Sequence, residues 1–222
     1  MVMLENKKRV FWEALLLTVV VFLLGLLIGI SFESGKVDLI KEYYSASEAS
    51  IMDIFASGNL VDLNKMSCSD LNEANFVFAD RIYTEAKLLE KYEDAGKITQ
   101  SMITEHKKYD LLRTLLWINE MKTVEKCGRN YHTVIYLYEY QQDDLAKKAT
   151  QTVWSKVLSD LKEQEGSNVL LVPIAVDNDL VSLSSLIKDY NITAYPALII
   201  DDKTIVKELS SVDDFETYFN QV

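Results

Sequence analysis

Residues 10–30 read VFWEALLLTVVVFLLGLLIGI, an apolar run in which Glu13 is the sole charge. Coiled as an α-helix at 1.5 Å per residue, it spans about 30 Å, the hydrocarbon thickness of a bilayer. A water-soluble helix of that length needs a polar face, and this run has none. It predicts a single transmembrane helix over 10–31. The stretch that follows, IGISFESGK, lacks the small-residue pattern of a signal-peptide cleavage site, so the helix is expected to remain as an anchor. Lys7, Lys8 and Arg9 precede the span and Phe32, Glu33 and Ser34 follow it, which places residues 1–9 in the cytoplasm and the rest outside.

Beyond the span the chain carries 20 basic and 32 acidic residues, a net charge of −12. Such a surface repels nucleic acid and offers no polybasic patch for lipid headgroups. The expected partners are the bilayer itself and other extracytoplasmic or membrane proteins. Gly25 and Gly29 form a GxxxG pair inside the span that can seat a second helix, so a homo-oligomer is one expectation.

The external part begins with a helical pattern, Val37, Ile40, Tyr44, Ile51 and Ile54, read as a stalk over 32–66 that Ser57-Gly58-Asn59 interrupts. Ser69 or Asp70 suits a helix cap, with Glu73 in the first turn, and Leu71, Phe78, Ile82 and Leu89 mark one stripe. Asp94-Ala95-Gly96 supplies a turn, and Met102, Tyr109, Leu112, Leu116 and Thr123 mark a second helix. Together they predict an antiparallel helical hairpin over 67–128. Its midpoint falls beside Gly96, halfway between Cys68 and Cys127, so both cysteines are expected to meet at its base. They are the only cysteines, and outside the cytoplasm a disulfide persists. A structural staple is expected there rather than a catalytic pair, because reactive disulfides usually sit close together in sequence at a helix N-terminus, and these two cysteines do not.

After Gly128 the period changes. Strands are expected at Tyr131–Tyr140, Asn168–Val176, Ala197–Asp201 and Thr204–Glu208. Helices are expected from Asp144, capped by Asp143-Asp144, to Glu165, over Leu180–Tyr190 and over SVDDFETYF. The order β-α-β-α-β-β-α implies a parallel first pair with a right-handed crossover and a final hairpin.

That order, with Tyr195-Pro196 just ahead of the third strand, resembles the thioredoxin fold over residues 129–222. The resemblance implies an α/β domain with a four-stranded mixed sheet, a cis proline, and a loop Ala194-Tyr195-Pro196 that can pair with an extended peptide. It also makes the second strand a sheet edge, a place where Pro173 is tolerated. Thioredoxins carry CxxC where the first strand enters its helix; here Asp144-Leu145-Ala146-Lys147 stands at that position. Neither Asp144 nor Lys147 can form a mixed disulfide, so dithiol exchange at that place is ruled out.

His106 and His132 are too few and too far apart for a metal site, and no phosphate-binding or metalloprotease motif occurs; no cofactor is expected. Asn191-Ile192-Thr193 is a glycosylation sequon on the expected outer side. The reading is of a membrane-anchored, extracytoplasmic thioredoxin-like binding or scaffold protein. Two alternatives stand beside it: a redox protein working through Cys68 and Cys127, and a structural membrane spacer that oligomerises.

Overall fold

The computed structural model describes residues 9–30, 67–93, 100–209 and 211–220, with isolated helical positions at Ser45, Ala49, Met52, Asp53, Ala56 and Asn59. The chain divides into two compact units, Met1–Ser45 and Ala46–Val222. In the first, α1 runs from Arg9 to Ile30 with all its side chains exposed, and it is long and apolar enough to cross a membrane. Arg9 pairs with Glu13 one turn along at 3.0 Å, neutralising the span's one carboxylate beside its charged end. A Cβ at Gly25 or Gly29 would meet nothing within 4 Å.

Most of the expected stalk, which falls partly in each unit, lies outside the described residues, as do the turn at 94–96 and the side chains of Leu89 and Met102. Asn59 is helical, where the sequence reading placed a break. α2 (Cys68–Glu93) and α3 (Gln100–Cys127) form the hairpin. α2 starts earlier than expected because Ser67, not Ser69 or Asp70, is its cap. Ser67 Oγ accepts from Asp70 N–H at 3.2 Å, and the Ser67 carbonyl accepts from Leu71 N–H. Cys68 is therefore the first residue of the helix, which corrects the expected position of that cysteine, while the wide separation of 59 residues from Cys127 is as expected. The first turn takes its acid from Asp70 rather than Glu73.

The remaining elements are β1 (His132–Tyr138), α4 (Leu145–Glu165), β2 (Val169–Ala175), α5 (Val181–Asp189), β3 (Ala197–Ile200), β4 (Thr204–Val206) and α6 (Asp214–Phe219). The strands make one mixed sheet in the order β2-β1-β3-β4. β1 runs parallel to β2, with Tyr136 opposite Pro173, and antiparallel to β3, with Leu137 opposite Ala197. β2 is thus an edge strand, where a missing N–H at Pro173 leaves no gap in the ladder.

Alternation along the strands sends residues to two faces. On one face Val134, Tyr136, Leu171, Leu198 and Ile200 pack with Trp154, Leu158 and Leu161 of α4 and Phe215 of α6. On the other, Ile135, Leu137, Val172, Ile174 and Ile199 are fully buried. This face also carries Thr133, whose hydroxyl reaches Glu120 of α3 at 3.3 Å. α2 and α3 both pack on β2, and α2 extends past it to α4, where Asp80 pairs with Lys162 at 3.0 Å and Tyr83 bonds Ser159 at 2.7 Å. The hairpin therefore covers both the edge that Pro173 interrupts and the second face of the sheet.

Candidate functional site at the carboxyl end of the sheet

In sheets with parallel strands, ligands favour the carboxyl ends of those strands, where connections diverge to opposite sides. Here β1 ends at Tyr138, with β2 on one side and β3 on the other. Because Leu137 lies opposite Ala197, the residues just before β3 stand beside Tyr138 and the turn beyond it. The Tyr195-Pro196 peptide is cis, Tyr195 and Pro196 are half-buried, and Ala194 is exposed. Burial, then the nearby Glu139 carboxylate, pushes the Tyr195 phenol above its ordinary value. Glu139 also pairs with Lys147 at 3.6 Å, so the proline loop and the start of α4 meet around one carboxylate.

The turn between β1 and α4 is held by its own side chains. Asp177 accepts from the N–H groups of Tyr140 and Gln141 at 2.9 and 2.7 Å. Gln151, from the second turn of α4, pairs with both the N–H and the carbonyl of Glu139 at 2.8 and 2.9 Å. Gln142 accepts from Asp144 N–H at 2.8 Å and donates to Glu139. Asp144 caps α4 as expected, accepting from Ala146 and Lys147 N–H at 2.8 and 3.2 Å. Donors that could hold an anion at a helix N-terminus are thereby occupied by a carboxylate of the chain itself. Leu145, in the first turn, is 83% exposed.

Behind this turn sits a cluster the sequence reading did not find. Asp110, with a fully buried side chain, receives His106 Nδ1 at 2.8 Å, Arg113 Nη1 at 3.2 Å, Asn178 Nδ2 at 2.6 Å and the N–H of Ala175 at 3.0 Å. His106 stacks on Tyr140 with ring centroids 3.7 Å apart, and its Nε2 faces the Tyr138 hydroxyl at 3.5 Å. Arg113 lies over the Tyr109 ring at 3.7 Å, and its Nε is buried without a hydrogen-bond partner. Burial disfavours the guanidinium charge, but Tyr109, Tyr138 and Asp110 outweigh it and hold the group above its ordinary value. Asp110 thus ties the hairpin to the end of β2, and its partner His106 reaches the end of β1. Positions 106, 110 and 113 share a helix face, and that spacing was the available signal. In a chain so acidic it reads as a solvated face.

At the opposite end of the sheet, His132 Nδ1 bonds Asp201 at 2.7 Å, and Arg129 joins Asp201 and Asp202 at 2.9 and 3.0 Å. Each histidine therefore pairs with an aspartate. Trp117 donates to Asp202 at 3.0 Å and stacks on Tyr190, whose phenol is raised to about 12 by burial and then by Asp202 and Asp189. Asn191, the sequon residue, follows at φ 52° with its side chain exposed. Cys68 and Cys127 are bonded, with Cα atoms 5.6 Å apart.

No family model and no curated protein matches the chain. A solved structure titled "Structure of a malarial protein" is similar at 18% identity and a TM-score of 0.32, over 41% of this chain and 97% of that one. A likeness of that strength carries no argument about function.

Proposed function

We propose that the chain is a membrane-anchored, extracytoplasmic protein with a thioredoxin-like domain that binds or scaffolds other proteins and runs no dithiol chemistry at the start of α4. The observation that carries this reading is the placement of the exposed Ala194 loop, beside the end of β1, next to a strand-to-helix turn that has no sulfur and whose amides are taken by Asp177, Gln142 and Asp144. Such a turn is rigid and chemically silent, while the exposed loop at Ala194 keeps backbone next to β3 from which an extended peptide can be bound. The strand order supports the fold assignment. The basic residues before the span and the disulfide beyond it support an external domain.

Two experiments test it. Protease added to right-side-out vesicles is expected to remove everything past Glu33; protection from outside, with digestion only from the cytoplasmic side, defeats the topology. A photo-reactive side chain at Ala194 in native membranes is expected to give discrete protein adducts, with none from the same probe at exposed Glu163 on α4. Equal labelling from the two positions defeats the binding assignment.

A further inference from the structure

Asn191-Ile192-Thr193 is the single Asn-X-Ser/Thr triplet in the chain, and it falls in the turn that leads out of α5. The Asn191 N–H donates to the Lys188 carbonyl at 3.2 Å, which closes the helix. Its φ of 52° is left-handed, a conformation that asparagine tolerates better than most residues. The middle residue anchors the turn, since Ile192 is only 6% exposed. On either side of it Asn191 and Thr193 are exposed. Among the described residues none hydrogen-bonds the Asn191 carboxamide or the Thr193 hydroxyl. Asn75, Asn119 and Asn178 differ on both counts, being buried with their amides bonded and belonging to no such triplet. The Asn191 Nδ2 can therefore exchange a hydrogen for a sugar without losing a bond inside the protein.

We propose that Asn191 carries an N-linked oligosaccharide, added outside the cytoplasm by an oligosaccharyltransferase from a polyprenyl-phosphate-linked donor. In the transfer Asn191 Nδ2 attacks the anomeric carbon of the first sugar. The bond from that carbon to the phosphate oxygen breaks, a carbon–nitrogen bond forms, the lipid phosphate leaves, and Nδ2 gives up one proton. The Thr193 hydroxyl completes the triplet that such transferases accept. The sugar adds hydrated bulk beside Tyr190, which stacks on Trp117 at the amino end of the sheet. This inference rests on the external topology proposed above and is independent of the peptide-binding reading.

The test uses the full chain from its native membranes, in right-side-out vesicles and after purification in detergent. Its intact mass is expected to exceed that of the sequence by a sum of monosaccharide masses, carried on the peptide that contains Asn191. The excess is expected to vanish in Asn191→Gln and in Thr193→Ala made in the same cells, and to persist on part of the chains in Thr193→Ser. Thr193→Ala keeps the left-handed asparagine, so loss of sugar there does not reflect a disturbed turn. Bare Asn191 in a chain that external protease digests past Glu33 overturns the inference and leaves the topology standing. Bare Asn191 in a chain that protease reaches only from the cytoplasmic side overturns both. Sugar that survives both Asn191→Gln and Thr193→Ala lies elsewhere and overturns the inference as well.

Discussion

The two faces of the sheet are built by different means. The face under α4 and α6 is an apolar cluster in which Trp154, Leu158 and Phe215 are nearly or fully enclosed. The face under the hairpin is apolar at the strands and mixed at the helices, where Leu71, Phe78 and Ile82 of α2 are buried as well. There α3 buries Asp110, Arg113, Thr114, Asn119, Glu120 and Thr123 beside Tyr109, Leu116 and Trp117. Two networks hold most of their polar atoms, with Arg113 Nε left unpaired. One is centred on Asp110. The other is centred on Glu120, which receives Asn75 at 2.9 Å, Tyr131 at 2.6 Å and Thr133 at 3.3 Å. Apolar packing is non-directional and tolerates small shifts, whereas a buried carboxylate with several donors demands one register. The hairpin is therefore attached by directed bonds as well as by area, and α4 and α6 mainly by area.

The largest expected effect breaks the directed side. Asp110→Ala leaves Arg113 charged, 2% exposed and without its carboxylate, and it strips an acceptor from Ala175 N–H and Asn178. Removing one partner of a buried pair costs about 3–5 kcal/mol. Denaturant unfolding of the full chain in micelles measures it. A loss under about 1 kcal/mol would mean that water reaches the cluster on the time average and that the hairpin is held by area after all.

Leu158→Ala is the counterpart on the apolar face. Leu158 is 1% exposed at the centre of the α4 cluster, and truncation is expected to cost about 3 kcal/mol through lost transfer energy and a cavity. Combined with Asp110→Ala, the two losses are expected to add, because the sites lie on opposite faces and share no partner. Strong non-additivity would show that the faces are one cooperative network.

That contrast also explains what the sequence revealed. The apolar face was legible because the β-branched and aromatic runs of β1 and β2 are local signals. So was the cap at Asp144, which acts on the next three residues. The Cys68–Cys127 pairing followed from the symmetry of two equal helices about Gly96. The Asp110 cluster was not legible, because its acceptor meets Ala175 and Asn178, 65 and 68 residues away, and no periodicity carries such a pairing. The start of α2 was misplaced because Ser67 and Ser69 are equally good caps by residue type. Tertiary placement of Cys68 opposite Cys127 at 5.6 Å is compatible with the earlier one.

A smaller effect is expected from Asp144→Ala, which touches neither core. It removes the acceptor for Ala146 and Lys147 N–H at the start of the helix that covers the apolar face. The cost is about 1 kcal/mol, read by thermal unfolding, and Asp144→Asn is expected to restore most of it. If the asparagine variant is as unstable as the alanine, the charge at the helix dipole rather than the hydrogen bond carries the effect.

The smallest effect at any one pH, and the sharpest test of the contrast, comes from Glu120→Gln. Burial lifts the Glu120 carboxyl above its ordinary value of 4.5, although hydrogen bonds from Tyr131, Thr133 and Asn75 and the charge of Arg129 pull the other way. Between 4.5 and the raised value the folded chain holds a proton that the unfolded chain has released. Stability therefore falls as pH rises through that window and levels off above it. Glutamine is nearly isosteric with the neutral carboxyl and does not titrate, so the variant and the wild type are expected to agree within about 0.5 kcal/mol at the acid end. They diverge as pH rises, with the variant the more stable. Leu158→Ala lies on the face without such a group and is expected to leave the pH slope of the wild type unchanged. Parallel curves for Glu120→Gln and the wild type across the window would remove the Glu120 network as a source of pH dependence, and would leave the two faces distinguished by geometry alone.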